Sequence, residues 1–135
     1  MTALAQRAAA CKGWRWMPGM LAQPGTGRTH YRLIRYENAG WQCAPDATPE
    51  ERPHCLGRLE YELPDLTDPA TLGCLLRLVR EAWGDPGAYT HRVDGSYAPA
   101  PVGSWWCHCV TDSDVGGFNA ATEAEALVAA LEAAP

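Results

Sequence analysis

The chain has 135 residues, of which 47% are apolar, and its formal net charge is −5. This length suits one domain that can fold without metal or disulfide support. The acidic balance disfavours a general nucleic-acid binder and a protein held on anionic lipid. Because no apolar run approaches the roughly 20 residues that span a bilayer and no signal peptide is recognisable, we expect a soluble cytoplasmic protein.

The pattern of apolar residues predicts alternating helices and strands. A helix is favoured where apolar residues recur every three or four positions, and a strand where they alternate with polar ones. Pro and Gly pairs separate these segments. The predicted elements of the first half are a helix over 3–12 and strands over 13–17 and 28–36, which flank a turn over 23–27. A long irregular connection follows over about 37–62, with short extended pieces near Trp41 and over 59–63. The second half contains a helix over 69–83, strands over 88–93 and 103–111, and a helix after Thr122.

Two of the predicted helices have explicit start signals. Asp68 is a suitable N-cap, and Pro69 occupies the first helical position after it. Thr122 and Glu125 have the spacing of a capping box. The apolar faces predicted from helical spacing are Leu72, Leu75, Leu76, Val79 and Trp83 in the first of these helices, and Ala124, Leu127, Val128 and Leu131 in the second.

The order helix, two strands, helix, two strands, helix predicts an α+β fold. Alternation with a period of two favours an antiparallel sheet with one face on a core, and we expect about four strands covered by the helices. We expect residues 1–135 to form one such domain.

Three segments carry a resemblance to a known family. They are Gly13–Met20, Leu63–Leu75 and Thr122–Leu131. In these segments the chain resembles the small phage and prophage proteins that contain the phage ABA-sandwich domain. The resemblance implies the fold and a setting among accessory phage genes, which favours a role in counter-defence or modulation of the host. It implies no catalytic or binding residues.

Cysteine and histidine side chains raise the question of a metal site. The donors are His54-Cys55, Cys107-His108-Cys109 and Cys43, which suffice for a tetrahedral site. However, no Cys-x-x-Cys pair occurs, and alternation on a strand separates His108 from its neighbours. We therefore expect no metal and no cofactor. Cys11 and Cys74 fall at apolar positions of predicted helices, which is typical of small core residues.

Nucleophilic catalysis through a thiol–imidazole pair is the enzymatic alternative. No local motif marks such a site, so no catalytic residue is predicted. The residues that could form the pair are Cys107 or Cys109 with His91 or His108, oriented by Asp112 or Asp114.

Aromatic and arginine side chains on predicted strands suggest a ligand-binding surface. Indole faces stack on nucleobases, and arginine forks bind phosphates. Packing of most tryptophans in the core is the competing interpretation. The predicted ligand-binding residues are Trp14, Arg15, Trp16, His30, Arg32, Arg92 and Trp106.

These patterns favour a non-enzymatic phage or prophage protein that binds and blocks a host component in the host-cell cytoplasm. The expected partner is a defence protein or a cyclic or linear nucleotide signal. A small phage enzyme acting on a nucleotide or protein through Cys or His chemistry is the alternative, and a structural or regulatory phage protein is a third possibility. Six tryptophans exceed what a small core needs, so we expect a homodimer.

Overall fold

The computed structural model describes residues 2–24, 30–45, 54–56, 59, 62–95, 100–109 and 117–135. In this part of the chain there are three helices and eight strands. The chain divides into two compact units, which are Met1–Ala9 with Arg15–Cys74 and Ala10–Trp14 with Leu75–Pro135. Across the described ranges, no helix is both long and apolar enough to cross a membrane.

The first unit contains most of one helix and a sheet of five strands. All pairings in this sheet are antiparallel, and the strand order is β4-β3-β2-β1-β5. The elements are α1 (Thr2–Ala10), β1 (Leu21–Pro24), β2 (Tyr31–Glu37), β3 (Gly40–Pro45), β4 (His54–Leu56) and β5 (Glu62–Pro64).

The start of β1 corrects the predicted strand over 13–17. Residues 14–17 are neither helix nor strand, and pairing begins only after a turn at Gly19. The φ of Gly19 is 95°, a conformation that glycine adopts without the steric penalty of a side chain. The N–H of Gly19 donates to the carbonyl of Leu33 at 2.8 Å, and the N–H of Leu33 donates to the carbonyl of Met20 at 2.9 Å. Pairing with β2 therefore begins at the turn and continues after it, in β1, and not in the segment before the turn.

A tight hairpin joins β2 and β3 within the interval predicted to be irregular. Asn38 and Ala39 have φ values of 52° and 60°. Two successive positive φ values define the two-residue turn that matches the twist of a hairpin. Glycine is the usual second residue of such a turn. Because Ala39 occupies this position, the sequence lacks the Asn-Gly pair that would have predicted the hairpin. The 37–62 interval therefore contains β3 and β4.

Asp68 connects three parts of the first unit through its carboxylate. Its Oδ2 accepts hydrogen bonds from the N–H and hydroxyl of Thr71, both at 2.8 Å, as predicted for an N-cap. Arg32 of β2 donates to both oxygens, at 2.6 and 2.9 Å, and also donates to the carbonyl of Gly19 at 2.9 Å. The N–H of Leu21 donates to the Thr71 hydroxyl at 2.9 Å. We call Arg32, Asp68 and Thr71 the Asp68 network.

The second unit pairs three strands with a helix. Helix α2 (Pro69–Trp83) begins in the first unit and ends in the second, and is followed by β6 (Tyr89–Arg92), β7 (Trp105–His108), β8 (Phe118–Ala120) and α3 (Glu123–Glu132). The strands form an antiparallel sheet in the order β6-β7-β8, and α3 contacts all three. The capping box at Thr122 and Glu125 is confirmed, and the predicted apolar face of α3 is buried.

The α+β class is confirmed, but the strand count and order differ from the prediction. Among the described residues, five strands lie between α1 and α2 and three between α2 and α3, in two sheets rather than one. The difference arises because β3, β4 and β8 are short. Strands of three to six residues leave too few positions for alternation to be recognised.

The buried face of α2 is rotated from the predicted one. Leu75 and Val79 are buried as predicted, whereas Leu76 is half-buried and Leu78, which was not predicted, is 1% exposed. Cys74 is half-buried rather than in the core. Cys11, also expected in the core, lies after α1 and is half-buried.

Loss of the Arg32 side chain is expected to weaken folding in a pH-dependent way. Arg32→Ala removes charge-assisted hydrogen bonds from Asp68 and should lower the free energy of unfolding by about 2–3 kcal/mol at neutral pH. Burial alone would raise the pKa of Asp68, but hydrogen bonds from Arg32 and Thr71 outweigh it and lower that pKa below 3.8. A depressed folded-state pKa gives stability that is complete above the ordinary value and is lost as the pH falls below it.

Urea unfolding of wild type and Arg32→Ala across this range measures the effect. The difference in stability should shrink as the pH falls below 3.8, the ordinary pKa of the group. Arg32→Lys is the matched control, since it keeps the charge without the fork and should recover part of the loss. A difference that stays constant into strong acid would contradict the role of Asp68.

Truncation of two neighbouring leucines should distinguish the two faces of α2. Leu78→Ala should cost about 2–5 kcal/mol because the side chain is fully buried. Leu76→Ala should cost clearly less, since that side chain is half-buried. Equal losses in thermal or urea unfolding would show that the assignment of the buried face is wrong.

Candidate functional site

One face of the three-stranded sheet is covered by α3. Cys107 of β7 is fully buried on this face. The hydroxyl of Thr90, opposite Cys107 in the register, donates to Glu123 at the start of α3 at 2.6 Å. Residues directly opposite each other on antiparallel strands share a face, and successive residues alternate.

The other face carries four rings. The register places Tyr89 opposite His108 and His91 opposite Trp106, so that all four project from the face opposite α3. We call these four residues the ring cluster. Tyr89 is 51% exposed, and the other three are half-buried.

His108 lies at the centre of the ring cluster. Its ring centroid is 4.8 Å from that of Tyr89, 4.9 Å from that of His91 and 5.7 Å from that of Trp106. The corresponding interplanar angles are 16°, 13° and 25°, so the rings are nearly parallel. Near-parallel rings at these distances lie in the range of favourable aromatic contacts. The sheet therefore presents an ordered set of flat surfaces.

A direct contact joins the two histidines. His108 Nε2 and His91 Nδ1 are 3.1 Å apart. One nitrogen must donate and the other accept, so the two tautomers are coupled. Burial, followed by the neighbouring His91, lowers the pKa of His108. A lowered pKa favours the neutral imidazole at this centre.

Gly117 fixes the position of the Trp106 ring. A Cβ at Gly117 would lie 2.7 and 2.8 Å from two carbons of that ring, closer than real contacts allow. The absence of a side chain at Gly117 thus allows its backbone to lie directly on the indole. The indole N–H of Trp106 is buried without a hydrogen-bond partner in the described part of the chain.

A shallow cavity of about 310 Å³ lies beside Tyr89 and His108. Asp85, Gly87 and Cys109 complete its lining. The carboxylate of Asp85 accepts a hydrogen bond from the N–H of Gly87 at 2.9 Å. The charged group at this cavity is therefore acidic, and no arginine is among the described residues that line it.

The thiols beside the histidines are poor nucleophiles. Burial, with smaller contributions from Cys109 and Glu123, raises the pKa of Cys107 to about 12. Burial and the charge of Asp85 raise the pKa of Cys109. Reactive cysteines have lowered pKa values, so the geometry does not favour the thiol–imidazole alternative. Asp112 and Asp114, its proposed orienting acids, lie outside the described residues.

In the first unit, the predicted ligand-binding residues have different surroundings. Arg15 is exposed and Trp16 half-buried on the segment before β1, not on a strand. His30 Nδ1 lies 3.2 Å from a carboxylate oxygen of Asp65. Arg32 belongs to the Asp68 network, where its role is structural.

In the second unit, the register separates the predicted arginine from the predicted tryptophan. Arg92 lies opposite Trp105 on β7, and this pair projects from the α3 side of the sheet. Trp106 projects from the other side with the ring cluster. Trp14 is half-buried on a segment that is not a strand. Trp106 is the predicted residue that the ring cluster contains.

Sequence reasoning missed Tyr89, His91 and His108 as members of one surface. Alternation within 88–93 puts Tyr89 and His91 on one face, and alternation within 103–111 does the same for Trp106 and His108. Pairing the two predicted strands in the observed register would have joined these sets. Within the described ranges, no group of three or more His, Cys, Asp or Glu side chains is placed to hold a metal ion.

Comparison with known proteins returns no relative. No protein family matches the chain, and neither a curated protein nor a solved structure does. The resemblance to phage ABA-sandwich proteins stays a prediction from the sequence. The function is therefore argued from the ring cluster itself.

Substitution of Gly117 tests the packing of the ring cluster. Gly117→Ala should displace the Trp106 ring and lower stability by about 1–3 kcal/mol through overpacking. Near-ultraviolet circular dichroism should report the change in the indole environment. Gly73→Ala is the control, because open space surrounds Gly73 in α2 and alanine favours helix by about 1 kcal/mol. An unchanged spectrum and stability in Gly117→Ala would contradict the observed contact.

Proposed function

We propose that this chain is a non-enzymatic binding protein whose ligand stacks a flat ring, such as a nucleobase, on the ring cluster. The observation that carries the proposal is the set of four near-parallel rings beside a cavity, with Tyr89 half-exposed at its edge. Base stacking on aromatic side chains tolerates different bases, because every base has a π-face.

The cavity suits the base of a nucleotide rather than its phosphate. Its volume of about 310 Å³ lies at the lower end of the range for small-molecule sites, which is enough for one ring system. Asp85 can accept a hydrogen bond from an amino or imino group of a base, whereas its charge repels phosphate. The phosphate of a bound nucleotide would then lie outside the cavity.

The biological setting of the proposal comes from the sequence resemblance. An accessory phage or prophage protein of this kind would block a host component by binding it. A nucleotide immune signal contains bases that can stack on aromatic rings. Binding alone would keep such a signal from its receptor, so no chemical step is needed. This function needs no nucleophile, which agrees with the raised pKa values of Cys107 and Cys109.

Calorimetry against a panel of nucleotides tests the proposal. The panel contains cyclic dinucleotides, cyclic trinucleotides and ADP-ribose derivatives, and the titrations include EDTA so that divalent ions play no part. Tyr89→Leu should weaken binding about 5- to 150-fold, because stacking contributes about 1–3 kcal/mol per base. Tyr36→Leu, which changes an exposed tyrosine of β2, should leave affinity unchanged.

Two outcomes would contradict this assignment. Binding that Tyr89→Leu and Tyr36→Leu weaken equally would show that the ring cluster is not the site. Absence of binding to every member of the panel would reject a nucleotide ligand and favour a protein target.

A protein target is the second candidate, and an exposed hairpin favours it. On β2 the apolar side chains of Ile34 and Tyr36 are 42% and 62% exposed. Tyr36 packs edge-on against Trp41 of β3, with ring centroids 5.5 Å apart. Aromatic residues and arginine are enriched in protein interfaces, and the exposed Arg35 lies between Ile34 and Tyr36 on β2. In this case Tyr36→Leu, and not Tyr89→Leu, should weaken capture of the partner from host lysate.

A further inference from the structure

The contact between His91 and His108 has the dimensions of a metal chelate. Zinc is bound by imidazole nitrogen at about 2.0–2.1 Å, so two nitrogens 3.1 Å apart subtend about 98° at an ion bound to both. Ideal tetrahedral geometry would need about 3.3 Å between the same nitrogens. A shift of a few tenths of an ångström therefore brings the observed pair to that geometry.

The backbone already holds both imidazoles in place. His91 and His108 lie on paired strands at diagonal positions, since His108 is two residues beyond Trp106, the register partner of His91. Their rings are nearly parallel, with an interplanar angle of 13° and a centroid separation of 4.9 Å. Tyr89 and Trp106 contact the His108 ring from neighbouring positions and limit its rotation. A preorganised pair avoids most of the ordering cost of binding.

We infer that His91 Nδ1 and His108 Nε2 form a two-histidine site for a borderline transition-metal ion of the Zn²⁺ class. The inference does not depend on the proposed nucleotide ligand. In the metal-free protein a proton joins the two nitrogens, and in the metal-bound protein the ion takes its place. Each ring then carries its proton on the other nitrogen.

The surroundings of the pair favour an exchangeable ion with open coordination positions. Imidazole suits zinc, copper and nickel rather than the harder magnesium and calcium ions. His108 lines the cavity that also contains Asp85, whose negative charge attracts a cation. Because the described residues offer no cluster of three donors, water or a ligand would complete the coordination. The resulting site is open, as in catalytic rather than structural zinc centres.

Zinc titration of the full chain, free of any histidine tag, tests the inference. We expect one Zn²⁺ per chain for wild type and a loss of about 100-fold in affinity for His91→Ala and for His108→Ala. The expected 100-fold loss follows because a second, linked contact raises the overall affinity by at least about 100-fold. The double variant should bind at least as weakly as either single variant, since it also removes the one imidazole that each single variant keeps. His30→Ala changes a histidine paired with Asp65 and should bind like wild type.

Cobalt distinguishes this site from thiol sites. The visible spectrum of bound Co²⁺ should be that of nitrogen ligands, without a thiolate charge-transfer band. Cys109→Ser should leave this spectrum unchanged. Circular dichroism confirms folding, and His91→Gln replaces His91→Ala if the latter unfolds. Absence of zinc binding, an equal loss in His30→Ala, or a thiolate band that disappears in Cys109→Ser would each overturn the inference.

Discussion

The carboxylate of Asp68 is the interaction on which the first unit depends. It caps the N-terminus of α2 through Thr71 and receives the guanidinium of Arg32 from β2. Through the Thr71 hydroxyl and the Gly19 carbonyl, the same network reaches β1 and the turn before it. Removing one member would leave a partly buried charge without its partner, which costs more than the pair contributes. An N-cap that is also an ion pair therefore couples helix formation to strand pairing.

Two separate features govern the surroundings of the predicted arginines Arg32 and Arg92. Arg32 alternates correctly on its strand, but its donors point to Asp68 and Gly19. Arg92 is exposed, but the register puts it on the sheet face opposite the ring cluster. Under the proposed function, the second unit would therefore hold its ligand at the ring cluster by stacking and by the polar atoms of histidine and Asp85. For this reason the proposal names a base-stacking surface and not the phosphate clamp expected from the sequence.

Local signals were recoverable from the sequence, and nonlocal ones were not. Both caps, at Asp68 and Thr122, depend on residues three positions apart and were predicted correctly. The prediction of a strand over 13–17 was wrong. The tryptophans of this segment give it the composition of a strand, but backbone pairing with Leu33 begins only at Gly19 and Met20. The ring cluster could be predicted only in part, since alternation assigns faces within a strand but register decides which faces of two strands coincide. Trp106 was identified as a candidate, and its neighbours were not.

The two proposals meet at the same surface through electrostatics. Without a metal ion, Asp85 makes the cavity unfavourable for phosphate. A dication held by His91 and His108 would reverse the local charge while leaving the outer ring, Tyr89, accessible for stacking. If both ligands bind, linkage requires that zinc change the affinity for nucleotide by the same factor by which nucleotide changes the affinity for zinc. The cavity, whose described lining contains no arginine, could then contact the phosphate of a nucleotide as well as its base, because the cation would come from solution rather than from the sequence.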